Sequence, residues 1–307
     1  MRPVILGVAV TLLCCSTSMA SAPAQKRTRP WVDAKGISVF PLGSPDLPAT
    51  REQFLSTFLQ GWQSRLFLPA GAPERILKAD GDTYPTLDHL RIDLSNAAID
   101  PDKPTPKLKG SDPIIKTLSV ANLELLAKPM LCRGARFQFD VAMTAARFEL
   151  QHDKSNEPLL VLADVKDGRL DFSITKSDLD RLLFESAKAA GDKYGVNVKS
   201  TQFKMKLEPR AISVELKVET KVGFVPASMK IKGRIDIDDQ LHGKLSKLSV
   251  DGDLALQPLI STVIRPGLER YEGRDKRLIG FPTTNVKLKD LKLTYEDTFH
   301  AVAAFGS

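Results

Sequence analysis

From Ile114 onward, apolar and polar residues alternate over one short segment after another, each bounded by Gly, Asp, Asn or Pro. A period of two marks strands with one face buried. Leu118 and Val120 lead into Leu123, Leu125 and Leu126; Phe137, Phe139 and Val141 alternate with Gln138 and Asp140; Phe148 and Leu150 precede a turn over Asp153 to Pro158. Leu160 and Leu162 run into Asp167-Gly168, which reads as a hairpin turn, and Leu170, Phe172 and Ile174 resume the alternation. The clearest stretch follows. Phe203, Met205 and Leu207 alternate with Lys204 and Lys206, and Ile212, Val214, Leu216 and Val218 alternate with Ser213, Glu215, Lys217 and Glu219. Met229, Ile231, Ile235 and Ile237 then alternate with Lys230, Lys232, Arg234, Asp236 and Asp238. Strands with one wet face predict an antiparallel sheet, because parallel strands are covered on both faces and read as continuous apolar runs. Leu245, Leu248 and Val250 lead to a turn at Asp251-Gly252-Asp253, and Val286-Leu288 with Leu291-Leu293 close the sheet.

Helical spacing appears in three places. Thr50 and Gln53 form a capping box ahead of Phe54, Leu55, Phe58, Leu59, Trp62 and Leu66, a stripe that lasts until Pro69. Ser177 or Asp178 caps a second helix with Leu179, Leu182, Leu183 and Ser186 on its apolar face and Gly191 or Gly195 at its end. A third runs from about Gln257 to Tyr271, with Leu259, Val263, Ile264 and Leu268 on one face and a kink expected at Pro266. Between the first helix and the strands lies a stretch rich in Pro, Gly and Asp, with one strand predicted over Leu90 to Leu94. The fold class is therefore α+β, with more sheet than helix. A long curved sheet must bury its apolar face, so it either closes on a filled core or wraps the helices and leaves a groove.

The N-terminus reads as an address. Arg2, an apolar run from Val4 to Cys15 and the small-x-small pattern Ser18-Met19-Ala20 predict a secretory signal over residues 1–20, and the run is too short to span a bilayer. The mature chain then starts at Ser21 and is exported, to a periplasmic or extracellular location, free or associated with a membrane. Residues 21–48, rich in Pro, Ala, Ser and Gly, are expected to form a flexible arm, and 49–307 a single domain. Loss of the signal leaves Cys132 as the sole cysteine, which excludes an internal disulfide.

At 307 residues with 42% apolar and 26% charged side chains, the chain is long enough for a sizeable core and is neither disordered nor polytopic. A net charge of +7, lowered to +6 by removal of Arg2, is spread too thinly for a nucleic-acid binder. His89, His152, His242 and His300 are far apart with no cysteine cluster nearby, so no metal site is expected. Asp236, Asp238 and Asp239 lack the Gly and Glu of a calcium loop, and no nucleophile elbow, P-loop or dinucleotide fingerprint occurs. The expectation is a non-enzymatic protein without cofactor.

The basic residues say more. Between Val196 and Arg234 nine Lys or Arg face three Glu, and Lys204, Lys206, Lys230, Lys232 and Arg234 fall on the polar side of adjacent strands. Such a face either protects and solubilises a sheet or meets anionic lipid headgroups at a membrane surface.

The order of these elements carries a resemblance. GRLDFSITKSDLDRLL at 168–183, a helix ending in Tyr194-Gly195-Val196, the strand with Phe203 and Met205, MKIKGRIDIDDQ at 229–240 and LSKLSVDGDLALQPLI at 245–260 resemble the LmeA family of exported phospholipid-binding proteins. The resemblance spans about residues 86–295 and rests on structural motifs; the helix at 50–67 departs from the pattern. It implies a TULIP-like architecture, a long curved antiparallel sheet wrapped around two or three amphipathic helices with an apolar groove between them. Phospholipid or another acyl lipid would then lie against Phe203, Met205, Leu207, Val214, Leu216, Ile231 and Ile235 of the strands. Leu179, Leu182 and Leu183 of the second helix and Leu259, Val263 and Ile264 of the third would complete that lining. The rival readings are a cell-envelope scaffold with a filled core and, more distantly, an envelope hydrolase.

Overall fold

The computed structural model describes residues 31–33, 39–71, 73–100, 107–109, 116–153, 155–238, 242–269, 272, 275–277 and 285–307. The expected signal, residues 21–30 and 34–38 of the arm, Asp239 and the final two residues expected for the third helix, 270–271, lie outside the described residues.

In chain order the elements are β1 (Trp31–Asp33), β2 (Val39–Pro41), α1 (Arg51–Gln63), β3 (Leu66–Phe67), α2 (Pro73–Ile76), β4 (Leu77–Asp80), β5 (Thr86–Asp93), β6 (Ala98–Ile99) and β7 (Lys107–Lys109). They continue with β8 (Thr117–Cys132), β9 (Ala135–His152), β10 (Pro158–Asp164), β11 (Asp167–Thr175), α3 (Lys176–Asp192), β12 (Val196–Glu208), β13 (Ala211–Val222), β14 (Val225–Ile237) and β15 (His242–Gly252). A composite helical segment then precedes β16 (Asp275–Arg277), β17 (Lys287–Tyr295) and β18 (Thr298–Gly306). The α+β class is observed.

The larger sheet has the order β17-β18-β11-β9-β8-β5-β4, with β2 and β10 added beside the second half of β9 and β3 and β6 beside the end of β8. Strand β9 changes partner along its length. Phe137–Thr144 pair with β11, Arg147–His152 pair with β10, and Ala145 between them sits at φ 49°. The Lys166 N–H donates to the Thr144 carbonyl at 3.1 Å, so the β10–β11 turn is anchored where β9 forks.

Four sequence expectations change here. The sheet is mixed, because β5 runs parallel to β8 from Thr86 opposite Ser119 to Asp93 opposite Leu126. A parallel pair needs a crossover of a dozen or more residues, which the turn-rich stretch 94–116 supplies. The arm ends earlier than expected: β2 pairs with β10, and Phe40 and Leu42 are buried. Gly43 and Gly61 allow this, since a Cβ on Gly61 would sit 2.4 Å from the Pro41 carbonyl oxygen while the Gly43 N–H donates to Thr57 O at 2.8 Å. Asp167-Gly168 belongs to β11 rather than to the turn, and Gly168 is required because the Phe305 ring lies where its Cβ would be. Residues Leu118 to Leu126 form one continuous strand within β8.

Helix α1 begins as its sequence predicts, with the Gln53 N–H donating to the Thr50 hydroxyl at 3.3 Å. Phe54, Phe58 and Trp62 recur every fourth residue and therefore share one face. That face is fully buried, with Phe54 and Phe58 stacked at 5.0 Å and Phe40 bridging Trp62 at 5.7 Å to Phe148 at 5.2 Å. The role of this helix is thus to seal one end of the larger sheet.

The second sheet is an antiparallel meander, β12-β13-β14-β15-β16. Helix α3 joins the two sheets, packing Leu179, Leu182, Leu183 and Ala187 inward and lying along β12. Its cap is Thr175, two residues before the expected Ser177: the Thr175 hydroxyl oxygen accepts the Asp178 N–H at 3.1 Å. Asp178 instead braces the helix to the β8–β9 turn by accepting the Arg136 N–H at 3.0 Å. A single apolar cluster runs from the aromatic residues of α1 through α3 to the inner face of the second sheet.

Candidate apolar site and charged face

Register places the predicted groove strands side by side. Phe203, Leu216, Ile231 and Val250 form one row across four strands, Met205, Val214 and Gly233 a second, and Leu207, Ile212, Ile235 and Leu245 a third. All seven strand residues expected to line a groove therefore share the inner face. Lys247, at φ 49°, interrupts the pairing of β14 with β15. This bulge puts both Leu245 and Leu248 against Gly233, where an added Cβ would stand 3.3 and 3.5 Å from their Cδ1 atoms.

The third helix differs in phase from the expectation. It opens as a 3-10 turn (Leu254–Leu256), continues as a short α segment (Gln257–Leu259) and a π segment (Ile260–Ile264), and ends as α (Arg265–Glu269). Pro266 has no N–H to give, and the Arg265 N–H reaches back five residues to the Ile260 carbonyl. The widened turn makes Leu256, Ile260 and Leu268 the buried residues, while Leu259, Val263 and Ile264 are only half-buried. Ile260 packs on Gly252, whose Cβ would lie 2.5 Å from the Ile260 Cδ1.

Burial along this inner face is graded. Ile231 and Ile235 are nearly sealed, Phe203 and Val214 retain 8% and 9% exposure, and Met205, Leu207, Leu245 and Leu248 are open enough to be only half-buried. Strand β17, an edge of the larger sheet, lies beside β12 and contributes the half-buried Leu288, Leu291, Leu293 and Tyr295. An apolar seam with incomplete cover thus runs between the two sheets. Two buried polar atoms near it, Tyr295 Oη and Ser186 Oγ, have no hydrogen-bond partner among the described residues. Burial raises the Tyr295 phenol above its ordinary value, with the Asp180 carboxylate adding to the effect. Two further such atoms, Trp62 Nε1 and Tyr84 Oη, lie at the sealed α1 end, so unsatisfied buried groups do not by themselves distinguish the seam.

The outer face is a ladder of opposite charges rather than a bare basic patch. Arg234 is held between Glu208 and Asp236, each at 2.7 Å; Lys206 reaches Glu208 at 3.3 Å, and Lys230 and Lys232 both approach Glu215 at 3.8 Å. The Arg234 guanidinium, with help from Lys206, lowers the Glu208 carboxyl, and the Ser246 hydroxyl and Arg234 lower Asp236. Of the five residues expected to meet headgroups, Lys204 stands without an ion pair among the described residues, and Arg234 is the most fully engaged. The nine-to-three excess read from sequence already counts Glu208 and Glu215; register clusters Lys206, Lys230, Lys232 and Arg234 around them, and Asp236, just beyond that window, adds one further carboxylate.

Among the described residues no three His, Cys, Asp or Glu side chains gather as metal ligands, and no helix is long and apolar enough to cross a membrane. No family model, curated protein or solved structure matches the chain. Leu245, Leu248 and the β17 leucines were absent from the sequence-derived groove. Their alternation was visible, but nothing in the sequence placed a bulge at Lys247 or set β17 next to β12.

Proposed function

We propose that this chain is an exported, non-enzymatic lipid-binding protein that holds phospholipid or other acyl chains in a TULIP-like seam between its two sheets and helices. The observation that carries the reading is the graded burial of one continuous apolar face. Met205, Leu207, Leu245, Leu248, Leu291 and Leu293 are directed inward by register yet left half-covered. Each methylene moved from water into such a seam contributes about 0.8 kcal/mol, so part of one acyl chain suffices for micromolar affinity without a specific polar contact. The resemblance to the LmeA family supports the same assignment.

A filled-core scaffold of the cell envelope is favoured by one observation, the near-complete burial of Leu216, Ile231 and Ile235. The two readings separate in a displacement assay. An apolar fluorescent probe should bind the purified protein and be released by phosphatidylglycerol in the micromolar range; a protein that never enhances the probe has a filled core, and the lipid-binding reading falls.

A further inference from the structure

Five large apolar side chains stand exposed among the described residues, and four of them, Tyr194, Phe224, Val225 and Leu254, sit at one end of the second sheet. Register establishes the grouping. Val222 pairs with both Val196 and Val225, so the β13–β14 hairpin tip at Gly223-Phe224 lies beside the α3–β12 connection that carries Tyr194. Gly252 pairs with Met229 and the Asp253 N–H donates to Ser228 O at 3.0 Å, which brings Leu254 to the start of β14, about 10 Å along the strand from Val225. Three separate chain connections therefore present apolar side chains at the same edge.

We propose that this end is a membrane-insertion tip whose partner is the interface of an anionic lipid bilayer. Phe224 is 101% exposed and Leu254 89%, so neither packs on the protein, and Gly223 at φ +61° makes the tight turn that projects the ring outward. Aromatic and aliphatic side chains on a narrow tip enter the headgroup boundary, where an amphipathic anchor gains apolar burial without crossing the membrane. Lys193 beside Tyr194 and Lys221 beside Val222 are exposed and without an ion pair among the described residues, as is Lys199 further along β12; the carboxylates of this end are Asp192, Asp251, which is opposite Lys230 in register, and Asp253, which accepts the Ser228 N–H. Such lysines favour an anionic surface. The four side chains offer roughly 500 Å², below the ~800 Å² per partner of a stable protein interface, which favours a bilayer over a protein.

This inference rests on the chain meeting lipid, but not on the seam being its cargo site. The test replaces Phe224 with Trp and mixes the full chain with vesicles of equimolar phosphatidylcholine and phosphatidylglycerol. Emission should shift to the blue, and brominated acyl chains should quench it. The double variant F224S/L254S should melt as the parent does and lose vesicle partitioning by roughly tenfold or more. A solvent-like F224W spectrum on vesicles, unchanged partitioning of F224S/L254S, or concentration-dependent self-association abolished by F224S/L254S would overturn the proposal. Displacement of the apolar probe by monomeric short-chain phosphatidylglycerol should be the same in both proteins. Probe binding absent from both alongside an inserted F224W would reject the seam and leave the tip standing.

Discussion

The two ends of one apolar cluster are sealed to different degrees. Around α1, Phe54, Phe58, Trp62, Phe40 and Phe148 interlock ring against ring with essentially no exposure. Around the third helix, rows of aliphatic side chains reach the same cluster but leave Met205, Leu207, Leu245 and Leu248 half-covered. The difference follows from the elements available. A regular helix with large residues every fourth position fills its end of the sheet, whereas the irregular segment Leu254–Glu269, with its π turn ahead of Pro266, turns Leu259, Val263 and Ile264 partly away. One fold thus closes its apolar cluster completely at one end and leaves it partly covered at the other.

The contrast is broken most directly by truncation. Phe58→Ala should cost about 3–5 kcal/mol and lower Tm steeply, because a rigid aromatic cluster cannot collapse into the cavity. Leu207→Ala on the half-covered face should cost less than about 2 kcal/mol, at or below the low end for leucine truncation. Equal losses measured by thermal or denaturant unfolding would remove the distinction between the two ends.

An intermediate effect is expected for Leu216→Trp. In a filled core the added bulk costs about 1–3 kcal/mol and the indole ignores lipid. With a seam beside it, the cost falls at the lower end of that range and the new indole emission moves when phosphatidylglycerol is added. The quadruple change of Lys204, Lys206, Lys230 and Lys232 to Gln should weaken salt-sensitive vesicle binding, by less than the tip variant does, since three of the four face Glu208 or Glu215. Vesicle binding that does not change would make this face purely solubilising.

The smallest effect concerns acid. Glu208, Glu219 and Asp236 are held below the ordinary carboxylate range, first by Arg234, Lys217 and Ser246 respectively. A lowered folded-state value means stabilisation that is complete above the ordinary range and lost as the pH falls through the lowered values. All three are solvent-exposed, so the loss should be slight and confined to strongly acid solution. Urea midpoints that hold steady all the way through that range, or fall already near neutrality, would contradict this.

Much of the second sheet was legible in the sequence because each strand there has one wet face: Phe203 to Leu207, Ile212 to Val218 and Met229 to Ile237 fall where the alternation puts them, in the predicted antiparallel order. The parallel pairing of β5 with β8 was not legible, since alternation reports which face is buried and not the direction of the neighbouring strand. Gly168 read as a turn residue because Asp-Gly favours one, while the Phe305 ring that actually demands a glycine there lies far along the chain. The burial of Phe40 was hidden by the Pro- and Ser-rich composition around it. The strand and α3 residues expected to face inward do so, but the π turn shifted the third helix and buried Leu256 and Ile260 in place of Leu259 and Val263. Charge was the least legible feature, because composition counts residues while register decides which of them neutralise one another.

The central claim, that the half-covered seam holds acyl chains, is tested most directly by extracting the purified full chain with organic solvent after incubation with phosphatidylglycerol vesicles and removal of free lipid, then identifying the extract by mass spectrometry. The account predicts phospholipid recovered in a stoichiometric amount, and a marked reduction when Leu207 and Leu245 are both changed to Glu in a variant that still melts cooperatively. A folded, cooperative parent protein that yields no lipid above a similarly treated control protein would contradict it.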